Sequence, residues 1–347
     1  MAQINISYKE NTKYGYASGR LRVLETRLLN RNSILRLLEA DSAQEVIRLL
    51  SEGEYGSAFS SITSPLDFDI GLKTELRRAY ALIDELSHDP NLTNIFRIKW
   101  DFHNLKALLK ASYLENLKTG FDGIISDLGL IPLENLKLTV MPESDKKAEE
   151  VPDYIMDALN SARNQYESSQ NPRFIDTIID NHCYSFMFKQ AEEFSNKFLI
   201  GYFKAVVDLN NIRNFVRIRM LSENIRLLDS ILLPYGSLDK KVFIAHFDDP
   251  IESFASSLSN TIYSDVITEG IRKWTDEHSL ATFEKLADNF LINYIKPAKY
   301  IIFGIEPLIG YLLAKENEIK LIRIIMTGKL NELPTEIINE RLRDTYV

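Results

Sequence analysis

Asp208–Arg213, "DLNNIR", is the stretch on which the reading of the chain turns. "DFHNLK" stands upstream at Asp101–Lys106, and "KENEIK" downstream at Lys315–Lys320. Taking the aliphatic residue before each closing base as anchor, Leu105, Ile212 and Ile319 are separated by 212 − 105 = 107 and 319 − 212 = 107 residues. "LIGY", at Leu199–Tyr202 and again at Leu308–Tyr311, is a second echo at similar but unequal distances before the phrase. A period this long exceeds the ~20–50 residues of a solenoid unit and points to three copies of a small helical domain. The interval sets the expected domains at 1–132, 133–239 and 240–347.

Helical periodicity accompanies each copy. Phe102, Leu105 and Leu109 fall at i, i+3 and i+7, one apolar stripe, with Lys99, His103, Lys106 and Lys110 on a neighbouring face. Leu209, Ile212 and Val216 repeat the stripe beside Arg213 and Arg217. In the third copy Leu312, Lys315, Ile319, Ile322 and Met326 share a face, with Lys315 expected at its edge and Lys320 and Arg323 as the basic pair. Lys110 and Arg217 align with Ile324, so this copy departs from the others. Strand-like runs such as "LKLTVM" (Leu136–Met141) have no partner across a hairpin turn. The class read from the pattern is all-α.

Turn punctuation agrees with a threefold division. "GLIPLE" (Gly129–Glu134) and "PYGSLD" (Pro234–Asp239) follow the first two phrases. "TGKLNELP" (Thr327–Pro334) is expected to stop one helix at its glycine and to place Pro334 in the first turn of the next, "TEIINERLRDTYV". The polar run "MPESDKKAEEVPD" (Met141–Asp153) reads as an exposed loop.

The chain has 347 residues, more than one core usually serves, with 45% hydrophobic and 26% charged residues. A net charge of −8 argues against nucleic acid as the main partner, although Lys13–Arg36 holds six bases against Glu25 alone. The one cysteine, Cys183, excludes an intrachain disulfide and suits a reducing compartment. Asn5-Ile6-Ser7 and Asn91-Leu92-Thr93 match the glycosylation pattern, but the polar start is no secretory signal. The most membrane-like stretch, "YIIFGIEPLIGYLLA" (Tyr300–Ala314), is broken by Glu306 and Pro307 and falls short of the ~20 apolar residues of a span. It reads as a helix buried inside the protein.

Chemistry is sparse. "MTGKL" lacks the hydroxyl residue and upstream glycine of a phosphate loop, and no G-x-G-x-x-G, H-E-x-x-H or C-x-x-C occurs. His88, His103, His182, His246 and His278 lack ligand spacing, and His182 and Cys183, being adjacent, do not face each other on a helix. Asp67/Asp69 and Asp248/Asp249 read as capping and turn residues rather than a cation site. No catalytic residue, metal site or cofactor is assigned. An all-α enzyme would need a convergent acid, base or metal cluster, and the sequence offers none.

"KWDFHNLKALLKA" (Lys99–Ala111), "FKAVVDLNNIRNFVRIR" (Phe203–Arg219) and "GIEPLIGYLLAKENEIKLIRIIMTGKLNELP" (Gly304–Pro334) resemble the C subunit of the A/V-type ATPases, related to the d subunit of the vacuolar enzyme. "YGYASGRLRVLETRLL" (Tyr14–Leu29) is similar to that family's opening helix, with Arg20, Arg22, Leu28 and Leu29 in its pattern. The resemblance implies three similar helical domains in a funnel with pseudo-threefold symmetry. It implies a non-catalytic central-stalk connector, one copy per complex, on the cytoplasmic face of the membrane. Its partners would be the D- and F-type shaft subunits and the proteolipid rotor ring of a proton- or sodium-moving motor. Arg20, Lys106, Lys110, Arg213, Arg217, Lys320 and Arg323 are then the expected partner interface, with Lys106, Arg213 and Lys320 as a shared electropositive ring. Two alternatives stand beside this: those bases satisfy acids of their own domain, or the chain is a soluble helical adaptor unrelated to rotation.

Overall fold

Proline opens many of the helices. Pro132, Pro152, Pro172, Pro250 and Pro334 each stand immediately before a first helical turn, where a missing N–H costs nothing and a fixed φ helps. Asn30, Ser42, Asn224 and Asp239 open others by accepting first-turn backbone N–H groups with their side chains. A computed structural model describes residues 10–113, 124–142, 149–221, 224–277 and 280–347. His278, Asn5-Ile6-Ser7 and residues 143–148 of the charged loop expected at 141–153 lie outside the described residues.

The described residues are helical and contain no strand. In chain order the helices are α1 (Gly15–Glu25), α2 (Arg31–Glu39), α3 (Ala43–Ser51), α4 (Gly56–Phe59), α5 (Phe68–Leu86) and α6 (Asn94–Tyr113). There follow α7 (Leu133–Val140), α8 (Asp153–Ser169), α9 (Arg173–Glu193), α10 (Lys197–Met220), α11 (Ile225–Ile231) and α12 (Lys240–Ala245). The last are α13 (Ile251–Ser257), α14 (Ser264–Glu277), α15 (Ala281–Ile295), α16 (Glu306–Leu330) and α17 (Thr335–Arg341). "LKLTVM" is the body of α7.

By spatial contact the chain forms two compact units. One takes Met1–Pro90, Lys197–Tyr202 and Asp249–Val347, and the other takes Asn91–Asn196 and Phe203–Asp248. The first two repeat phrases fall in the second of these, and the third phrase falls in the first. The expected segments 1–132, 133–239 and 240–347 therefore divide the sequence by its repeat, whereas contacts gather both ends of the chain into one body.

In that body α16 is the axis. It packs on α1, α2, α3, α5, α15 and α17, and residues 306–315 are buried without interruption. A helix apolar all round belongs in a core, and this one carries Leu308, Leu312, Ile319, Ile322 and Met326 inward. The stretch Tyr300–Ala314 is not one helix: Pro307 in the first turn fixes the start at Glu306, and Tyr300 and Ile302 before it are exposed at 83% and 63%. No helix among the described residues is long and apolar enough to cross a membrane. The expected helix stop at Gly328 is also corrected. α16 runs on to Leu330, and the left-handed residue beyond it is Glu332 at φ 53°. Gly328 is required for another reason, since a Cβ there would lie 2.5 Å from Ile338 of α17. Pro334 stands one residue ahead of α17, at its N-cap, and the helix ends at Arg341.

In the other unit α6, α8 and α9 pack together, joined by α7 on α6 and α11 on α9. Phe102, Leu105 and Leu109 are buried, as are Leu209, Ile212 and Val216, so both predicted stripes face a core. Stacked rings add to it: Phe96 on Phe203 at 5.9 Å and Tyr154 on Phe186 at 4.1 Å between centroids.

Candidate partner interface

Within each of the first two repeat phrases the deepest residues include polar ones. Asp101 and Asn104 on α6, and Asp208 and Asn211 on α10, are essentially inaccessible. A buried polar group needs a partner, and these take theirs from the backbone of the loop that follows. Asp101 accepts the N–H groups of Leu130 and Ile131 at 3.0 Å each. Asp208 does the same with Ser237 and Leu238 at 2.9 and 3.0 Å. Asn104 donates to the carbonyl of Ser126 at 2.7 Å and accepts its N–H at 2.8 Å. Asn211 brackets Leu233 likewise, at 3.0 and 2.7 Å. Each helix thus clamps a turn downstream, α6 the one before α7 and α10 the one between α11 and α12. Any Cβ at Gly129 or Gly236 would collide with the carboxylate of Asp101 or Asp208.

Apolar periodicity does not single these groups out, yet the signal is present in the chain. Asp101 and Asp208, Asn104 and Asn211, and Gly129 and Gly236 are each 107 residues apart, the interval of the aliphatic anchors.

In the third copy the same positions hold Lys315 and Glu318. The spacing puts Lys315 at the edge of its stripe, and the fold corrects this. It is buried, 3% exposed, with Nζ 2.9 Å from Glu318 and 3.1 Å from Glu75 of α5 and 4.6 Å from the centre of the Tyr55 ring. Burial depresses the Lys315 pKa, but the two carboxylates outweigh it and the net direction is upward. Glu318 accepts the backbone N–H of Leu29 and the Tyr55 hydroxyl, the latter at 2.8 Å. The backbone it clamps comes from the N-terminal part of the chain rather than from a loop downstream. Burial pushes the Asp101 carboxyl up to about 6, against its backbone N–H donors and the Arg97 charge.

The predicted interface bases lie outside these clamps. Lys106 pairs with Asp180 at 2.7 Å and Lys110 with Asp176 at 2.6 Å, from α6 to α9. Lys320 and Arg343 both reach Asp288, at 2.5 and 2.9 Å. Arg323 binds Asp69 at 2.5 Å, and Arg20 binds Glu85 at the same distance. Arg213 donates to Asn210 at 2.6 Å while its Nε has no hydrogen-bond partner, and Arg217 is exposed. The Lys13–Arg36 cluster is similarly tempered by acids: Arg22 binds Glu25 and also donates to the carbonyls of Ala298 and Ile301, and Arg27 approaches Glu54 at 3.6 Å. Cys183 is buried and its thiol is pushed up by that burial, as suits a packing residue. Asp69 serves Arg323 and Lys73. No group of three or more metal-capable side chains occurs among the described residues.

The model of the ATP synthase (C/AC39) subunit family matches residues 17–341, nearly the whole chain. The chain belongs to that family. Curated relatives run to a similar length. The C subunit of the V-type sodium ATPase of Enterococcus hirae is 26% identical over 94% of this chain and 97% of its own. The C subunit of the A-type ATP synthase of Methanocaldococcus jannaschii is 25% identical over 95% and 86%. That of Methanosarcina mazei is 24% identical over 96% and 94%. The C subunits of the V- and A-type ATPases are therefore the family in which this helical, internally repeated chain falls, as the resemblance of its phrases implies.

Proposed function

We propose that this chain is the non-catalytic connector of the central stalk of a rotary A/V-type ATPase. It seats the D- and F-type shaft subunits and passes their rotation to the proteolipid ring on the cytoplasmic face of the membrane. The observation that carries this is the family match along 17–341, together with relatives of similar length named as C subunits. Torque transmission asks for stiffness, and helices whose launching turns are clamped by buried Asp and Asn side chains supply it.

In this reading Arg20, Lys106, Lys110, Arg213, Arg217, Lys320 and Arg323 face partners across a rim where charge sets specificity and register. What supports it is accessibility: Arg217 is exposed, and the Lys320 and Arg323 side chains remain partly exposed beside their acids. The competing adaptor reading predicts no affinity for a shaft. Pull-down of purified D–F shaft and of detergent-solubilised ring by this chain separates them. Capture of both is expected, and capture of neither overturns the connector.

A further inference from the structure

One face of α9 carries His182, Ser185, Phe186, Lys189 and Glu192 at helical spacing, and none of the repeat phrases involves it. With Tyr154 and Asp157 of α8 and Tyr235 from the turn after α11, it lines an open cleft of about 430 Å³. The walls are aromatic. Tyr154 stacks on Phe186 at 4.1 Å, and Phe188 stacks on Tyr235 at 4.9 Å between centroids. Tyr235 is 48% exposed and held at φ 71°, a left-handed conformation that a bulky side chain adopts only at a cost.

The rim adds charge. Asp157 and Glu192 are exposed at the rim. Lys189 is exposed too, and burial lowers the His182 pKa against the nearby Asp157 charge, which favours the neutral ring near pH 7. Two carboxylates against one ammonium leave the cleft net negative beside the half-exposed Tyr235 ring. Rings attract an organic cation electrostatically, and a planar guanidinium both stacks on them and bridges carboxylates.

We propose that this cleft is a docking site for an arginine side chain presented by a partner protein, its guanidinium over the aromatic walls and against Asp157 and Glu192. Lys189 is the internal competitor for the same place. The site stands apart from the connector reading and does not depend on it.

The test is an NMR titration of the full chain with N-acetyl-arginine amide, using the uncharged isostere N-acetyl-citrulline amide as control. Saturable shifts of the His182 and Tyr235 resonances are expected with arginine only. Tyr235→Gly removes a wall while relieving the backbone, and D157N/E192Q removes the rim charge without changing shape. Each should weaken binding about tenfold or more, whereas K189Q should tighten it. Equal shifts from arginine and citrulline would overturn the proposal. So would binding unchanged in both weakened variants with native circular dichroism, or no saturable shift up to the solubility limit.

Discussion

Burial holds the Asp101 carboxyl at about 6, above the ~3.9 of an exposed aspartate, so its charge is resisted more in the folded chain than in the unfolded one. The linked stability is fully present below ~3.9 and is lost as pH rises through about 6. Asp101→Asn should remove that slope. The unfolding free energy of the wild type should fall relative to the variant by on the order of 2 kcal/mol between about pH 4 and about pH 7, read from urea midpoints. A difference that stays flat with pH contradicts the assignment. Gly129→Ala and Gly236→Ala should each destabilise by about 1–3 kcal/mol, because the added methyl displaces a buried clamp. These residues are legible as a pattern and illegible as a role. A polar residue beside an apolar stripe is usually the wet edge of a helix, and only the fold shows that Asp101 and Asp208 meet backbone N–H groups some thirty residues on.

At the scale of the element, α16 shows where sequence reasoning succeeds and where it stops. Its stripe of Leu312, Ile319, Ile322 and Met326 is readable from spacing, and so is its place in a core. The role of Lys315 is not, since the compensating Glu75 lies on α5, far away in the chain. Removing the ammonium leaves the buried Glu318 without its counter-ion and Glu75 with Arg78 alone. Lys315→Met should therefore cost about 3–5 kcal/mol, while the triple variant K315M/E75Q/E318Q should recover much of it. Equal melting temperatures for the single and triple variants would show that the ion cluster is not the cause. A glycine shortly before a proline-bearing turn usually stops a helix, which is why the spacing misplaces the end at Gly328. Its true constraint, contact with Ile338, depends on how α17 folds back. Gly328→Val should loosen that helix, seen as faster amide exchange across Thr335–Arg341, with the backbone of α5 unaffected.

For the whole molecule, the helical periodicity foretells an all-helical chain, and the family match from 17 to 341 agrees with what the phrases resemble. Spatial grouping into two bodies is hidden from a linear reading, because the chain's beginning supplies Leu29, Tyr55 and Glu75 to the third copy. Reversing Lys106, Arg213 and Lys320 together tests the rim. Loss of shaft and ring capture with an unchanged helical spectrum is expected, whereas intact capture would return these bases to the service of Asp180, Asn210 and Asp288 alone. The connector itself is tested by coupling. Membrane vesicles bearing the ATPase should be prepared with and without this chain, and ATP hydrolysis and ion uptake measured on the same sample. Vesicles lacking it should still hydrolyse ATP but take up no ions, and adding the purified chain should restore uptake. Ion uptake undiminished in its absence would rule the connector out.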